Sequence, residues 1–356
     1  MPDLATRLAE RTLELVNIPS ESRHEAEIAA HVRSLVPPSF AAEYEAEDAF
    51  VWARPRREGK PLVVLAGHYD TVPPQANVPG RIENGAVVGL GASDMKGGLA
   101  VMLELARELE GTEPEVDLAL LAFGKEELPA EFSPLPHLFD NSAVVHEAEL
   151  AILLEPTDCT IQAGCLGNLN ARITFHGVSG HSARPWTAEN AIEKALEGLS
   201  PYARIEPRPV VIGGLTFTEV ASITQIDGGI ATNVIPDRAE ANINFRYAPD
   251  RSPASAEAYL RSLLPEGATF EHAGDSPPAR VVTDSPLVQR LRAAGDLGLE
   301  PKQAWTNVAD FTSRGIDAVN FGPGATRYAH RRDEQVEIAS LERAFTALWR
   351  FVTGTV

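Results

Sequence analysis

Short runs of nonpolar residues, separated by helical patterns, constrain this chain most strongly. Leu62 to Ala66, Leu118 to Phe123, Leu150 to Leu154 and Ala318 to Phe321 are short, mainly apolar runs. Runs of this length without alternation suit strands buried on both faces, as in the middle of a parallel sheet. Between the first two lies a helical stretch from about Gly97, in which Leu99, Met102, Leu103, Ala106 and Leu109 recur at helical spacing. An amphipathic helix opens the chain, with Leu4, Leu8, Leu13, Leu15 and Val16 on its apolar positions before Pro19 stops it. Strands alternating with helices predict an α/β layered sheet.

The middle of the chain obeys a different period. From about Asn168, Leu169, Ala171, Ile173 and Phe175 alternate with Asn170, Arg172, Thr174 and His176, the mark of a sheet with one wet face. A helix follows (Ala191, Ile192, Ala195, Leu196, Leu199), then a strand near Val220 to Ile226, an alternating strand Ala239 to Tyr247, a helix Ser255 to Leu264 and a short strand near Ala268 to Glu271. The order βαββαβ is the split unit of ferredoxin-like domains. Pro277-Pro278 then punctuates the chain, and the α/β pattern resumes with a helix around Leu287, Val288 and Leu291, the Ala318 to Phe321 strand and a terminal helix from Leu341 to Val352. The expected organisation is a discontinuous α/β domain, 1–167 and 277–356, interrupted by an α+β domain over 168–276. A chain of 356 residues, 44% of them hydrophobic, has material for both cores.

Asp and Glu number 50 against 31 Lys and Arg, a net charge of −19. That field repels phosphate backbones and anionic lipid, which argues against nucleic acid and membrane partners. The segment Met1-Pro2-Asp3-Leu4 has no basic region ahead of an apolar core, and no apolar run approaches the roughly 18 residues of a bilayer span. A cytoplasmic location is expected. Cys159 and Cys165 lack a CxxC spacing and read as buried small hydrophobes.

The chemistry lies where polar residues follow the buried strands. His68 and Asp70, Glu126 and Glu127, and Glu155 each come just after the C-terminal end of such a run, the edge at which open α/β sheets bind ligands. Asp94, just before the Gly97 helix, can share the same mouth. Singly, these are a turn histidine, a solvated Glu-Glu pair, a loop start and a helix cap. Jointly, the carboxylates would repel one another unless paired or coordinating a metal, and a divalent cation resolves the conflict. Asp70 is then the group that orients the His68 imidazole. His330, after the glycine-rich Phe321-Gly322-Pro323-Gly324 turn, is the candidate for a further ligand. His181 belongs to the inserted domain. The other histidines, His24, His31, His137, His146, His176 and His272, read as structural or surface groups. Gly89-Leu90-Gly91-Ala92-Ser93-Asp94 begins like a dinucleotide fingerprint, but its last position is a carboxylate that would repel a pyrophosphate. Gly177-Val178-Ser179-Gly180-His181 lacks the final glycine of a nucleophile elbow.

His68-Tyr69-Asp70-Thr71-Val72-Pro73, Ser93-Asp94-Met95-Lys96-Gly97-Gly98, Glu126-Glu127, Glu155-Pro156, Gly177 to His181 and Ala329-His330 with Asp333-Glu334 resemble, in order along nearly the whole chain, the di-zinc aminoacylase and carboxypeptidase family, peptidase clan M20. The resemblance implies a zinc-dependent exopeptidase-like catalytic domain with a mixed sheet, plus an inserted ferredoxin-like domain for dimerisation that also acts as a lid. It implies one zinc held by His68, Asp94 and Glu155 and a second by Asp94, Glu127 and His330, with Asp94 bridging, Co2+ being able to substitute. It further implies Glu126 as general base and His181 as oxyanion donor, reaching in from the other subunit of a homodimer.

Gly229 to Asp237, Asn244-Phe245-Arg246-Tyr247 and His181 to Trp186 resemble the branch that hydrolyses N-succinyl-LL-2,6-diaminopimelate in diaminopimelate and lysine biosynthesis, in its actinobacterial form. A substrate bearing carboxylates needs cationic partners, and guanidinium matches a carboxylate bidentately. Arg184 and Arg246 are the candidates, with Asn233, Gly324 and Ala325 beside them by resemblance. Ala325-Thr326-Arg327-Tyr328 and Arg331-Arg332 depart from the better-known proteobacterial pattern. The alternatives are acetylornithine deacetylase, another N-acyl-amino-acid hydrolase or carboxypeptidase, and, in a different class, a non-catalytic metal- or ligand-binding relative. Retention of Glu126 favours catalysis over the last.

Overall fold

A computed structural model describes residues 3–46 and 48–355; the ends of the expected catalytic domain at residues 1, 2 and 356 lie outside them, as does residue 47. The chain folds as two compact units, one of residues 1–163, 282–300 and 310–356, the other of residues 164–281 and 301–309.

The first unit is built on a mixed sheet whose eight strands, among the described residues, run in the order Ala41–Ala46, Ala49–Ala53, Asp117–Phe123, Leu62–His68, Leu150–Leu153, Asp317–Asn320, Ile161–Ala163, Leu299–Pro301. The central pairings are parallel: Leu62–His68 lies between Asp117–Phe123 and Leu150–Leu153, and Asp317–Asn320 extends the set. Every residue of Leu62–His68 and of Asp117–Phe123 is buried, which is why their sequences do not alternate. Helix Gly97–Glu108 is buried along its whole first ten residues, because the sheet lies on one side and helices Leu4–Val16 and Ile338–Thr353 pack against it on the other. Asp3 caps the first helix through the Thr6 N–H at 2.8 Å. The expected strands and helices of this unit are all present; the hairpin Ala41–Ala46 with Ala49–Ala53 and the helix Ala26–Leu35 are additions. Among the described residues no helix is long and apolar enough to cross a membrane.

The second unit is a five-stranded antiparallel sheet ordered Arg208–Ile212, Leu215–Gly228, Arg238–Tyr247, Gly167–His176, Thr269–Ser276. Leu169, Ala171, Ile173 and Phe175 point into a core shared with Ala191 and Ala195 of helix Ala191–Gly198 and with Ala256 and Leu260 of helix Pro253–Arg261. Removing the first strand leaves the βαββαβ arrangement read from the sequence. That extra strand returns through Gly213-Gly214, both at positive φ, which suits the primed turn of a two-residue hairpin. Residues 301–309 join this unit: Trp305 Nε1 donates to the Pro277 carbonyl at 3.0 Å, and the Thr218 N–H donates to Gln303 Oε1 at 3.3 Å.

One polar cluster holds this second unit together. Glu219 is 3% exposed and accepts two hydrogen bonds each from Arg208 and Arg251, at 2.8–3.0 Å, and one from the Ala248 N–H. Burial raises its pKa, but the two guanidinium groups outweigh that and hold it below the ordinary glutamate value of 4.5. A depressed carboxylate stabilises the fold above its unfolded-state pKa and loses that contribution as pH falls through the folded-state value. Glu219→Ala is therefore expected to cost about 2–3 kcal/mol at pH 7, less than the roughly 3–5 kcal/mol of a fully buried pair because the Arg208 side chain is 39% exposed. Urea denaturation should show this gap, and should show it closing below pH 4.5. A gap that widens in acid contradicts the argument.

Candidate metal centre

His68 is the last residue of its strand and is 1% exposed, so the sheet itself aims the imidazole. Its Nδ1 lies 3.1 Å from the Asp70 carbonyl and 3.5 Å from the Asp70 carboxylate. The nearer acceptor is thus the backbone oxygen. With Nδ1 occupied in this way, Nε2 faces Asp94 Oδ1 at 3.2 Å and Glu155 Oε1 at 4.0 Å.

Asp70 does more than meet the imidazole. Its carboxylate accepts from the Glu126 N–H at 3.0 Å, the Glu127 N–H at 3.2 Å and the Ser22 hydroxyl at 2.6 Å. The strand end carrying His68 therefore fixes the loop that follows Asp117–Phe123 and places both glutamates. Nothing in the local sequence of Ser22 marks a partner 48 positions away.

His330 adopts a positive φ of 58°, and Gln75 Nε2 donates to its carbonyl at 2.9 Å. Its Nε2 sits 2.9 Å from Glu127 Oε1 and 3.6 Å from Asp94 Oδ2. The two oxygens of Asp94 consequently face opposite ways, Oδ1 to His68 and Oδ2 to His330. His68, Asp94, Glu127, Glu155 and His330 come together in the first unit, with Glu126 among them; donor atoms of His68, Asp94 and Glu127 all lie within 4.8 Å of one another.

The electrostatics ask for added positive charge. Burial pushes the Glu126 pKa well above the ordinary range; Glu155, Glu127 and Asp94 add to this while His68 opposes it. Burial lowers the His68 pKa, yet Asp70, Asp94, Glu126 and Glu155 raise it well above 6.5 overall. The hydrogen bond to Glu127 is the largest cause that lifts His330 to about 9. A cluster that clings to protons in this manner is one in which divalent ions replace protons readily. The donors also fit on geometry: tetrahedral metal bonds of about 2.0–2.2 Å put neighbouring donors roughly 3.4 Å apart. The four separations above run from 2.9 to 4.0 Å.

Close backbone packing holds the two carboxylate loops in register. A Cβ on Gly322 would lie 2.3 Å from the Leu154 carbonyl, and one on Gly98 2.2 Å from the same atom. Gly324 packs as tightly on the Ser93 carbonyl, while the Ala325 carbonyl accepts from Ser93 Oγ at 3.0 Å. Gly324 and Ala325 thus sit against the residue preceding Asp94.

The remaining candidates belong to the second unit. His181 is exposed on the short strand Gly180–His181, and its Nδ1 accepts from the Ala183 N–H at 3.1 Å, which leaves the proton of the neutral ring on Nε2. Arg184 and Asn233 are exposed; the Asn233 carbonyl accepts from the Ser182 N–H at 3.0 Å. Arg246 projects from the wet face of its sheet beside a ladder of Asn168, Asn170, Asn242 and Asn244. Among the described residues its guanidinium donates to Asn244 Oδ1 at 3.1 Å and pairs with no carboxylate. Among the other histidines, His137 pairs with Tyr44 and His272 with Glu257.

Comparison with known proteins agrees with this geometry. Residues 64–354 match Peptidase family M20/M25/M40. A succinyl-diaminopimelate desuccinylase of Corynebacterium glutamicum is 38% identical, over 96% of this chain and 95% of its own. The fold is similar to that of aminopeptidase PepT from Bacillus cereus, with a TM-score of 0.79 at 18% identity over 98% of each chain. It is also similar to a dinuclear metal-binding M20 peptidase of Bacillus subtilis, with a TM-score of 0.70 at 16% identity over 98% of this chain and 97% of that one. The chain belongs to peptidase family M20/M25/M40 and is a hydrolase.

Proposed function

We propose that this hydrolase cleaves the amide of N-succinyl-LL-2,6-diaminopimelate to succinate and LL-2,6-diaminopimelate, using two zinc ions per subunit. The observation that carries the reading is the Asp94 carboxylate, one oxygen turned to His68 and the other to His330. His68, Asp94 and Glu155 would hold one ion, and Asp94, Glu127 and His330 the other; Co2+ has the same donor preferences and should substitute. When bound, two divalent ions supply positive charge that polarises an amide carbonyl and makes a water more acidic. Glu126 takes the proton from the attacking water and returns it to the leaving amine. Asp70 keeps that base in place through its hydrogen bonds to the Glu126 and Glu127 backbone. His181, with its Nε2 proton available, is the proposed donor to the developing oxyanion.

Arg246 supports a carboxylate-bearing substrate. Burial lowers its pKa, and a half-buried guanidinium without a carboxylate partner among the described residues favours an anionic ligand. Arg184, Asn233, Gly324 and Ala325 are proposed as further substrate-binding residues. The succinyl group itself rests on the 38% identity to the Corynebacterium enzyme. Large apolar side chains exposed on the second unit, among them Trp186, Leu196 and Ile230, support a homodimer formed through it. The enzyme is proposed to act in the cytoplasm on small N-acyl amino acids. The zinc-loaded protein, offered succinyl-diaminopimelate, acetylornithine and an N-acetylated hydrophobic amino acid, should show its highest kcat/KM on the first. Preference for either acetyl substrate overturns the assignment.

A further inference from the structure

We infer that Glu334 is a positioning residue that locks the two halves of the metal centre together. This rests on the two-cation reading. Glu334 is 1% exposed, and its carboxylate accepts three backbone hydrogen bonds from the turn that carries Asp94: Gly91 N–H to Oε2 at 3.0 Å, and Ser93 and Asp94 N–H to Oε1 at 3.1 and 3.0 Å. Buried backbone N–H groups need acceptors, and here one side chain serves three of them. Its own carbonyl also accepts from the Gly89 N–H at 3.0 Å, so the whole turn from Gly89 to Asp94 hangs on this residue.

The same residue ends the loop that carries His330, four positions earlier. That loop continues directly into strand Gln335–Glu337, which pairs antiparallel with Ala86–Val88 just ahead of the turn. Asn77 Nδ2 and Gln75 Nε2 donate to the Arg331 and His330 carbonyls from the other side. Asp94 and His330 come from distant parts of the sequence, yet their nitrogen and oxygen donors must be set to within a few tenths of an ångström to share an ion. Glu334 joins the two backbones at the place where that tolerance is decided, through its bonds to backbone N–H groups.

The test is a Co2+ titration of the metal-free full-length protein, read by calorimetry and by the visible Co2+ spectrum, for wild type, Glu334→Ala and Glu334→Gln. Wild type should bind two equivalents. Glu334→Ala should weaken at least one of them by about 10–100-fold, the usual effect of losing a group that orients ligands, with an altered Co2+ spectrum. Glu334→Gln keeps an oxygen for Ser93 and Asp94 but turns an NH2 towards the Gly91 N–H, so it should fall between the two. If Glu334→Ala does not fold, the glutamine variant decides, since it preserves size and two of the three bonds. Variants that melt at lower temperature but bind both ions as tightly as wild type, with unchanged spectra, overturn the inference. Wild type that binds fewer than two ions instead removes the two-cation reading beneath it.

Discussion

Glu126→Gln is expected to bind both cations with unchanged stoichiometry and to lose about 10²–10⁴ in kcat, the range that general base catalysis contributes. The substitution is nearly isosteric, and the backbone hydrogen bond from Glu126 to Asp70 does not depend on the side chain. The carboxylates of Asp94, Glu127 and Glu155 face the imidazoles, whereas Glu126 is the carboxylate proposed as base. Metal content and kcat on the preferred N-acyl substrate provide the check. A glutamine variant with more than a tenth of wild-type turnover excludes Glu126 as the base.

Asp94→Ala should abolish both cation sites at once, because each loses an oxygen donor and the two imidazoles lose the charge between them. Substitution of Glu155 or His330 should affect chiefly one site. The contrast is measurable as bound metal per chain, with the activity of Asp94→Ala expected to fall by about 10²–10³-fold or more, the range for loss of one electrostatic group being the lower bound. If Asp94→Ala retained one tightly held ion, the bridging assignment would be wrong, although the rest of the donor set would stand.

Much of this centre was legible because of where its residues fall. A buried strand has no use for a charged group at its end unless that group meets something, and His68 ends one such strand while Glu126, Glu127 and Glu155 follow others. The alternating Gly167–His176 and Arg238–Tyr247 strands declared their wet face just as openly. Strand Ala41–Ala46 was not legible, because it is the exposed edge of the sheet and only Tyr44 is buried. Arg208–Ile212 is a similar edge, with no fully buried position. The parts of the site that escaped are tertiary: the Glu334 clamp and the glycine packing on Leu154 use backbone atoms that every residue carries, and Ser22 meets through its side chain a partner 48 positions away. The attachment of residues 301–309 to the second unit is also tertiary, resting on contacts of Gln303 and Trp305 that no local pattern announces.

The place of Asp317–Asn320 in the large sheet bears on how the protein is made. This strand fills the slot between Leu150–Leu153 and Ile161–Ala163, yet the entire second unit is translated before it. At about 5–20 residues per second, the nascent chain spends many seconds with one apolar strand edge lacking its neighbour. During that interval the ribosome-bound intermediate offers a template for self-association, and a holdase that covers it would matter more to yield than the stability of the finished enzyme.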